Sequence, residues 1–158
     1  MFEINIPFIA GSLFSIFSVW MFIHAFRSYR KSVESENWPS VEGKISKVEL
    51  WGKRNIGGKI EEVEHLVIEY FFEVQGETYK GTRATFYTLV FPETVDFAGN
   101  HPVNSSVTVY YETNKPEESV LIPGPKPGNK RYSDIILASM GIGVSVSIAF
   151  FGALGKIS

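Results

Sequence analysis

Residues 4–26 read INIPFIAGSLFSIFSVWMFIHAF, a run between Glu3 and Arg27 in which His24 is the only ionisable side chain. Residues 135–155, IILASMGIGVSVSIAFFGALG, repeat the pattern between Asp134 and Lys156 with no ionisable side chain at all. At about 1.5 Å per helical residue the two runs reach about 35 and 31 Å, and a hydrocarbon core is about 30 Å thick. Neither run carries the polar face that a helix on the surface of a soluble core shows. The expectation is a membrane protein with two transmembrane α-helices, 4–26 and 135–155, lying in a lipid bilayer. Every long hydrophilic stretch falls on the loop between them.

The first run does not read as a cleaved signal peptide. Its leading residues hold Glu3 and no Lys or Arg, and its apolar stretch is too long. Asn5 ahead of Ile6-Pro7 makes a helix start, with Pro7 in the first turn where its missing N–H is not needed. Orientation follows from the flanks. Arg27, Arg30 and Lys31 follow the first span, and Lys126, Lys130 and Arg131 precede the second. Positive charge is retained in the cytoplasm, so the loop domain is expected there with both termini outside. The competing orientation would expose Asn104-Ser105-Ser106 as a glycosylation acceptor. Gly11, Ser15 and Ser18 on one helix and Ser139, Gly143 and Ser147 on the other form stripes of small residues, the pattern by which helices approach closely in lipid. His24 lies within a turn of the charged end and is read as interfacial.

The loop has a different composition. From Val33 to Pro125 there are eight Lys and Arg against fifteen Asp and Glu, a net charge of −7. Such a module repels phosphate backbones, which argues against a nucleic-acid partner. The chain has no cysteine, which removes disulfides, thiolate metal sites and a cysteine nucleophile together. About 95 residues suffice for one modest core.

Within the loop the helical period gives way to alternation. In Glu64–Val74, Leu66, Ile68, Tyr70, Phe72 and Val74 fall on one face and His65, Glu69 and Glu73 on the other, the period of a half-buried strand. Gln75-Gly76 breaks the run, and Glu77–Tyr87 reads as its hairpin partner. Ser106–Glu112 turns Val107, Val109 and Tyr111 inward, and Ser119–Ile122 follows a turn. Val41–Leu50 is a strand whose apolar phase slips between Ile45 and Val48, as a bulge causes. Pro92–Ala98, with Gly99 just beyond, reads as a short helix. Five short antiparallel strands and one helix make the 33–122 domain all-β, a small five-stranded antiparallel barrel or half-open sandwich of the OB or SH3 type. Residues 123–134 begin Pro-Gly-Pro-Lys-Pro-Gly and read as a stiff, extended tether.

These residues resemble the membrane-associated family DUF3592, whose function is unknown. Trp38-Pro39 with Val41, Gly43 and Ile45 is similar to the family's opening strand. Tyr70, Val74, Gly76, Tyr79 and Gly81 are similar to its central hairpin. Pro102-Val103-Asn104 with Val107, Val109, Tyr110 and Tyr111, then Asn114, Pro116, Val120, Leu121 and Pro123-Gly124, is similar to its closing stretch. Asn104 stands where the family has Gly, a replacement that Asn serves because it tolerates positive φ. Thr113 also departs from the usual turn start. The resemblance implies a β domain held at a membrane and brings no catalytic residues.

Little in the sequence points to chemistry. Gly57-Gly58 lies in a polar stretch and reads as a hairpin turn rather than a phosphate loop. His65 with Glu61, Glu62 and Glu64 offers metal-ligand types, but alternation turns Glu64 away from His65. Ser105 and Ser106 have no base beside them. No catalytic residue, metal or cofactor is therefore expected. Aromatic residues are the surplus. Phe71, Phe86, Tyr87, Phe91, Phe97 and Tyr110 exceed what one small barrel interior holds and are read as an exposed binding surface, the alternative being a second small core under the helix. The expected function is a non-enzymatic membrane-anchored β module that mediates protein interaction or assembly of a membrane complex, with another membrane protein or a second copy as partner. The alternative is a sensor or small-molecule-binding module in envelope stress or defence. A hydrolase is the remote third.

Overall fold

The computed structural model describes residues 5–128 and 132–156. Ile4, where the first apolar run begins, and the flanking cations Lys130 and Arg131 lie outside the described residues. The element order is α1 (Ile6–Ser35), β1 (Ser40–Ile56), β2 (Lys59–Val74), β3 (Glu77–Gly81), α2 (Glu93–Asn100), β4 (Ser106–Glu112), β5 (Lys115–Val120) and α3 (Ser133–Ala153). They form two units. One takes the chain up to Arg30 and from Lys126 onward; the other is Lys31–Pro125.

In the first unit, α1 and α3 are both long and apolar enough to cross a membrane. Asn5 caps α1, its Oδ1 accepting from the Phe8 N–H at 3.0 Å. Helix α1 does not stop where its apolar run stops, because Arg27–Ser35 holds no Gly or Pro to break it. Helix α3 begins at Ser133, two residues before the apolar run, and Gly155 follows its end at φ 63°, the left-handed cap position.

The second unit is built on a five-stranded antiparallel sheet in the order β3-β2-β1-β4-β5. It is an open sheet and not the closed barrel that the strand count invites. The edge strands are the reason. Gly81 ends β3 after five residues, and β5 carries Pro116, which has no N–H to give a neighbouring strand. Among the described residues the edges share no ladder, and they are joined past their ends, where the Ala84 carbonyl accepts from the N–H groups of Leu121 (3.1 Å) and Ile122 (2.9 Å). Inside the curl, Ile45, Ile68, Tyr70, Phe72, Val109 and Leu121 make the core with Phe97 from α2.

Several boundaries differ from the sequence reading. Strands β1 and β2 run on to a turn at Gly57-Gly58, so that the hairpin continues past the reach of β4, which pairs only with Ser40–Lys44. The expected bulge appears between Ile45 and Lys47, and a second follows between Trp51 and Lys53 at Gly52, φ 86°. Strand β3 ends at Gly81 rather than Tyr87. Helix α2 spans Glu93–Asn100 and keeps Gly99 inside it. Strand β5 begins at Lys115, four residues early, because the Thr113-Asn114 turn is tight. Asn104 takes φ 69°, the conformation expected of it in place of Gly. The tether is not straight: Gly124 and Gly128 both adopt positive φ and bend the chain.

Gly81 shows why the hairpin residues are spaced as they are. It sits directly opposite Tyr70, and a Cβ there would fall on the phenol ring. Tyr70 is fully buried, so the ring cannot step aside. Gly81→Ala is expected to destabilise the domain by about 1–3 kcal/mol through overpacking. Thermal unfolding of the full chain in detergent, followed by tryptophan fluorescence, checks this; an unchanged midpoint contradicts it.

Candidate functional site

The six aromatic residues read as one exposed surface do not form one. Phe97 is buried in the core, because α2 lays its inner face on the β1–β2 hairpin. The Thr94 hydroxyl fixes that helix by donating to the Val63 carbonyl at 2.5 Å, and the His101 ring stacks on Phe97 at 4.0 Å. Phe91 is half-buried beneath the Arg54 guanidinium, 5.2 Å from the ring centroid. Phe86 lies half-buried between the Arg83 guanidinium at 4.9 Å and the edge of Trp38 at 5.6 Å. Tyr87 is half-buried after a turn closed by the Thr85 hydroxyl, which donates to the Tyr87 carbonyl. Tyr110 is half-buried opposite Ser40. Only Phe71 stands out as exposed, at 41%. Fold and charge thus separate the six aromatics into a core residue, two rings under arginines, two half-buried tyrosines and one open ring on the sheet.

His65 packs against the Trp51 ring at 4.4 Å, which Gly52 permits because a side chain there would meet the imidazole. Glu64 turns to Arg54 at 4.0 Å. Among the described residues no three His, Asp or Glu side chains gather as a metal site would require.

The corner where the chain enters and leaves the domain is knit by contacts that the sequence did not show. Ser35 is fully buried; its hydroxyl donates to the Ser32 carbonyl at 2.7 Å and accepts from the Gly124 N–H at 2.9 Å. Lys31 pairs with Glu118. Gly124, at φ 89°, packs on the Glu36 side chain, so the Pro-Gly step of the closing motif is a docking turn. The last turn of α1 therefore folds with the domain.

Within the chain, the helix pair uses a different face of α3 from the stripe that the sequence singles out. Gly11 meets the Ala149 backbone so closely that a Cβ would overlap it, and a Cβ on Gly152 would come within 2.6 Å of the Phe8 nitrogen. Asn5 Nδ2 donates to the Gly152 carbonyl at 2.8 Å, Ser18 is buried against Gly141, and Tyr29 meets Tyr132 at 5.3 Å. Ser15 turns its hydroxyl back to the Gly11 carbonyl at 2.8 Å. Ser139, Gly143 and Ser147 are exposed and face away from α1. The face in use is Ala138, Gly141, Ser145, Ala149 and Gly152, about 100–200° round the helix from the predicted stripe.

At the centre of the domain the Tyr70 hydroxyl donates to the Arg83 carbonyl at 3.0 Å and meets the Ser119 hydroxyl at 3.1 Å. One phenol thus ties the end of β3 to β5. Burial pushes its pKa up from 10.0 to about 12, against the hydrogen bond from Ser119. The fold prefers the protonated phenol, so its stabilisation is whole below pH 10 and is lost as pH climbs from 10 to 12. Denaturant unfolding across that range should show a loss of about 2–3 kcal/mol. Tyr70→Phe should flatten most of that slope while lowering stability below pH 10, since it leaves the Arg83 carbonyl without this donor. A slope unchanged in the variant contradicts the assignment. Tyr79, raised by its hydrogen bond to Glu77, and Tyr87, raised by burial, account for what slope remains.

Residues 41–126 match the family model described as Domain of unknown function (DUF3592). No curated protein and no solved structure matches the chain.

Proposed function

From the premise that this chain belongs to the DUF3592 family, we propose that it is a non-enzymatic, membrane-anchored β module that mediates protein interaction in the assembly of a membrane complex. One observation carries the reading. Only 11% of the apolar window of α1 and 17% of that of α3 is buried by protein, whereas the core helix of a soluble protein is mostly buried. Lipid is the covering that suits such surfaces. The helices insert as a hairpin, and Arg27, Arg30, Lys31 and Lys126, with Lys130 and Arg131, hold the domain on the cytoplasmic side.

The domain's chemistry fits binding better than turnover. Its ionisable groups serve the fold: Arg54 and Arg83 cover aromatic rings, His65 and His101 stack on rings, and Lys80 pairs with Glu69 at 2.8 Å. The Lys80 ammonium holds the Glu69 carboxyl below its ordinary value, as a surface ion pair does and a general acid does not. Assembly at a membrane also needs little affinity, because confinement raises the effective concentration of partners.

Two measurements test this. Gly58→Cys places the chain's single thiol at the exposed hairpin tip. A membrane-impermeant maleimide should label it in cells only after the bilayer is opened; labelling of intact cells overturns the orientation. Replacing all six flanking Lys and Arg by Gln should yield a mixture of orientations, and an unchanged single topology would refute the charge argument. The complex itself is read by light scattering in mild detergents. A mass above the monomer is expected, and a monomer in every detergent overturns the assembly role.

A further inference from the structure

The sheet carries an ordered pattern on its outer face. Register sets Lys80, Phe71, Lys44 and Ser106 side by side across four strands. One step along the same strands, about 7 Å away, Thr78 pairs with Glu73 and Glu42 with Thr108. The charged groups and Phe71 in these rows are all exposed. A single exposed Phe is ordinary on a protein surface. What distinguishes Phe71 is its setting, with a cation on each side and carboxylates one row away. Lys80 is occupied by Glu69, but Lys44, Glu42 and Glu73 form no ion pair among the described residues.

We propose that this face seats a second copy of the chain, the two sheets packed face to face about a two-fold axis that runs across the strands between the two rows. That rotation exchanges the rows. Lys44 then lies over the partner's Glu42 and Glu42 over the partner's Lys44, a pair made twice, while each Phe71 lies over the partner's Glu73, which so comes between the partner's Lys80 and Lys44 strands. An acidic partner would meet Glu42 and Glu73, and a basic one Lys44 and Lys80; a mixed-sign pattern that complements itself on rotation fits a copy of itself.

The proposal rests on the membrane-module reading above and names its partner. Four strands about 4.8 Å apart, over some five residues, give a flat footprint of roughly 300–400 Å² per copy, at most half of the roughly 800 Å² of a standard interface. Such a contact is weak in dilute solution and is populated when the copies share a bilayer.

The test uses the full chain in lipid vesicles. Thr108→Cys adds one thiol on the acidic row, and a bismaleimide able to bridge about 12 Å, the roughly 10 Å between packed sheets combined with the roughly 7 Å offset between rows, should trap a dimer. Lys44→Glu alone and Glu42→Lys alone each place like charges face to face and should cut the trapped dimer at least fivefold. The double reversal should restore it to within twofold. Phe71→Ser should also cut the yield, with far-UV circular dichroism confirming the fold. A dimer indifferent to both single reversals, or one the double reversal fails to restore, overturns the sheet-face pairing. A larger complex seen by light scattering with no thiol cross-link overturns the pairing and leaves the membrane-module reading standing. A monomer in both assays sinks both.

Discussion

The constraint behind everything else is solvation of the two long helices. Eleven large apolar side chains on α1 and eight on α3 stand exposed, from Ile6 and Phe14 to Leu137 and Phe150. Taking most of each out of water is worth on the order of 1 kcal/mol per side chain, so the set represents about 20 kcal/mol. A folded domain is stable by only about 5–15 kcal/mol. That comparison is the ground on which lipid is proposed as their covering. The helix pair is close enough to exclude side chains at Gly11 and Gly152, yet that contact covers one stripe of each helix and leaves the rest exposed.

The sheet unit meets a different problem, since a short open sheet has edges that no ladder zips together. It uses single polar groups at critical points. Tyr70, seated on Gly81, carries its hydroxyl across to Ser119 and the Arg83 carbonyl, and Ala84 bridges to Leu121 and Ile122. Ser35 and Lys31 then fasten the incoming chain to Gly124 and Glu118. The family match opens at residue 41, but the folded unit opens at Lys31. The segment ahead of the match is thus part of the folded unit.

What was legible in the sequence follows the periodicities that physics imposes. Uncharged runs mark the two helices, alternation in Glu64–Val74 marks the core strand, and Asn104 takes the φ of 69° that its place in a glycine turn requires. What failed needed a partner surface to decide it. On α3, Ser139-Gly143-Ser147 and Gly141-Ser145-Ala149 are equally small, and only the position of α1 selects the second. The aromatics were misread for a similar reason. Phe91 is covered by Arg54 and Phe86 by the distant Trp38 as well as its near neighbour Arg83, and Phe97 by a sheet whose hairpin runs longer than its apolar pattern. Strand count could not distinguish a barrel from an open sheet either, because closure depends on edge lengths that Gly81 and Pro116 curtail.

Lipid as the helices' solvent is the central claim, and extraction of native membranes with alkaline carbonate tests it most directly. The chain should stay with the sedimented bilayer and move to the soluble fraction only when detergent dissolves the lipid. Recovery of the intact chain in the carbonate supernatant would contradict the account.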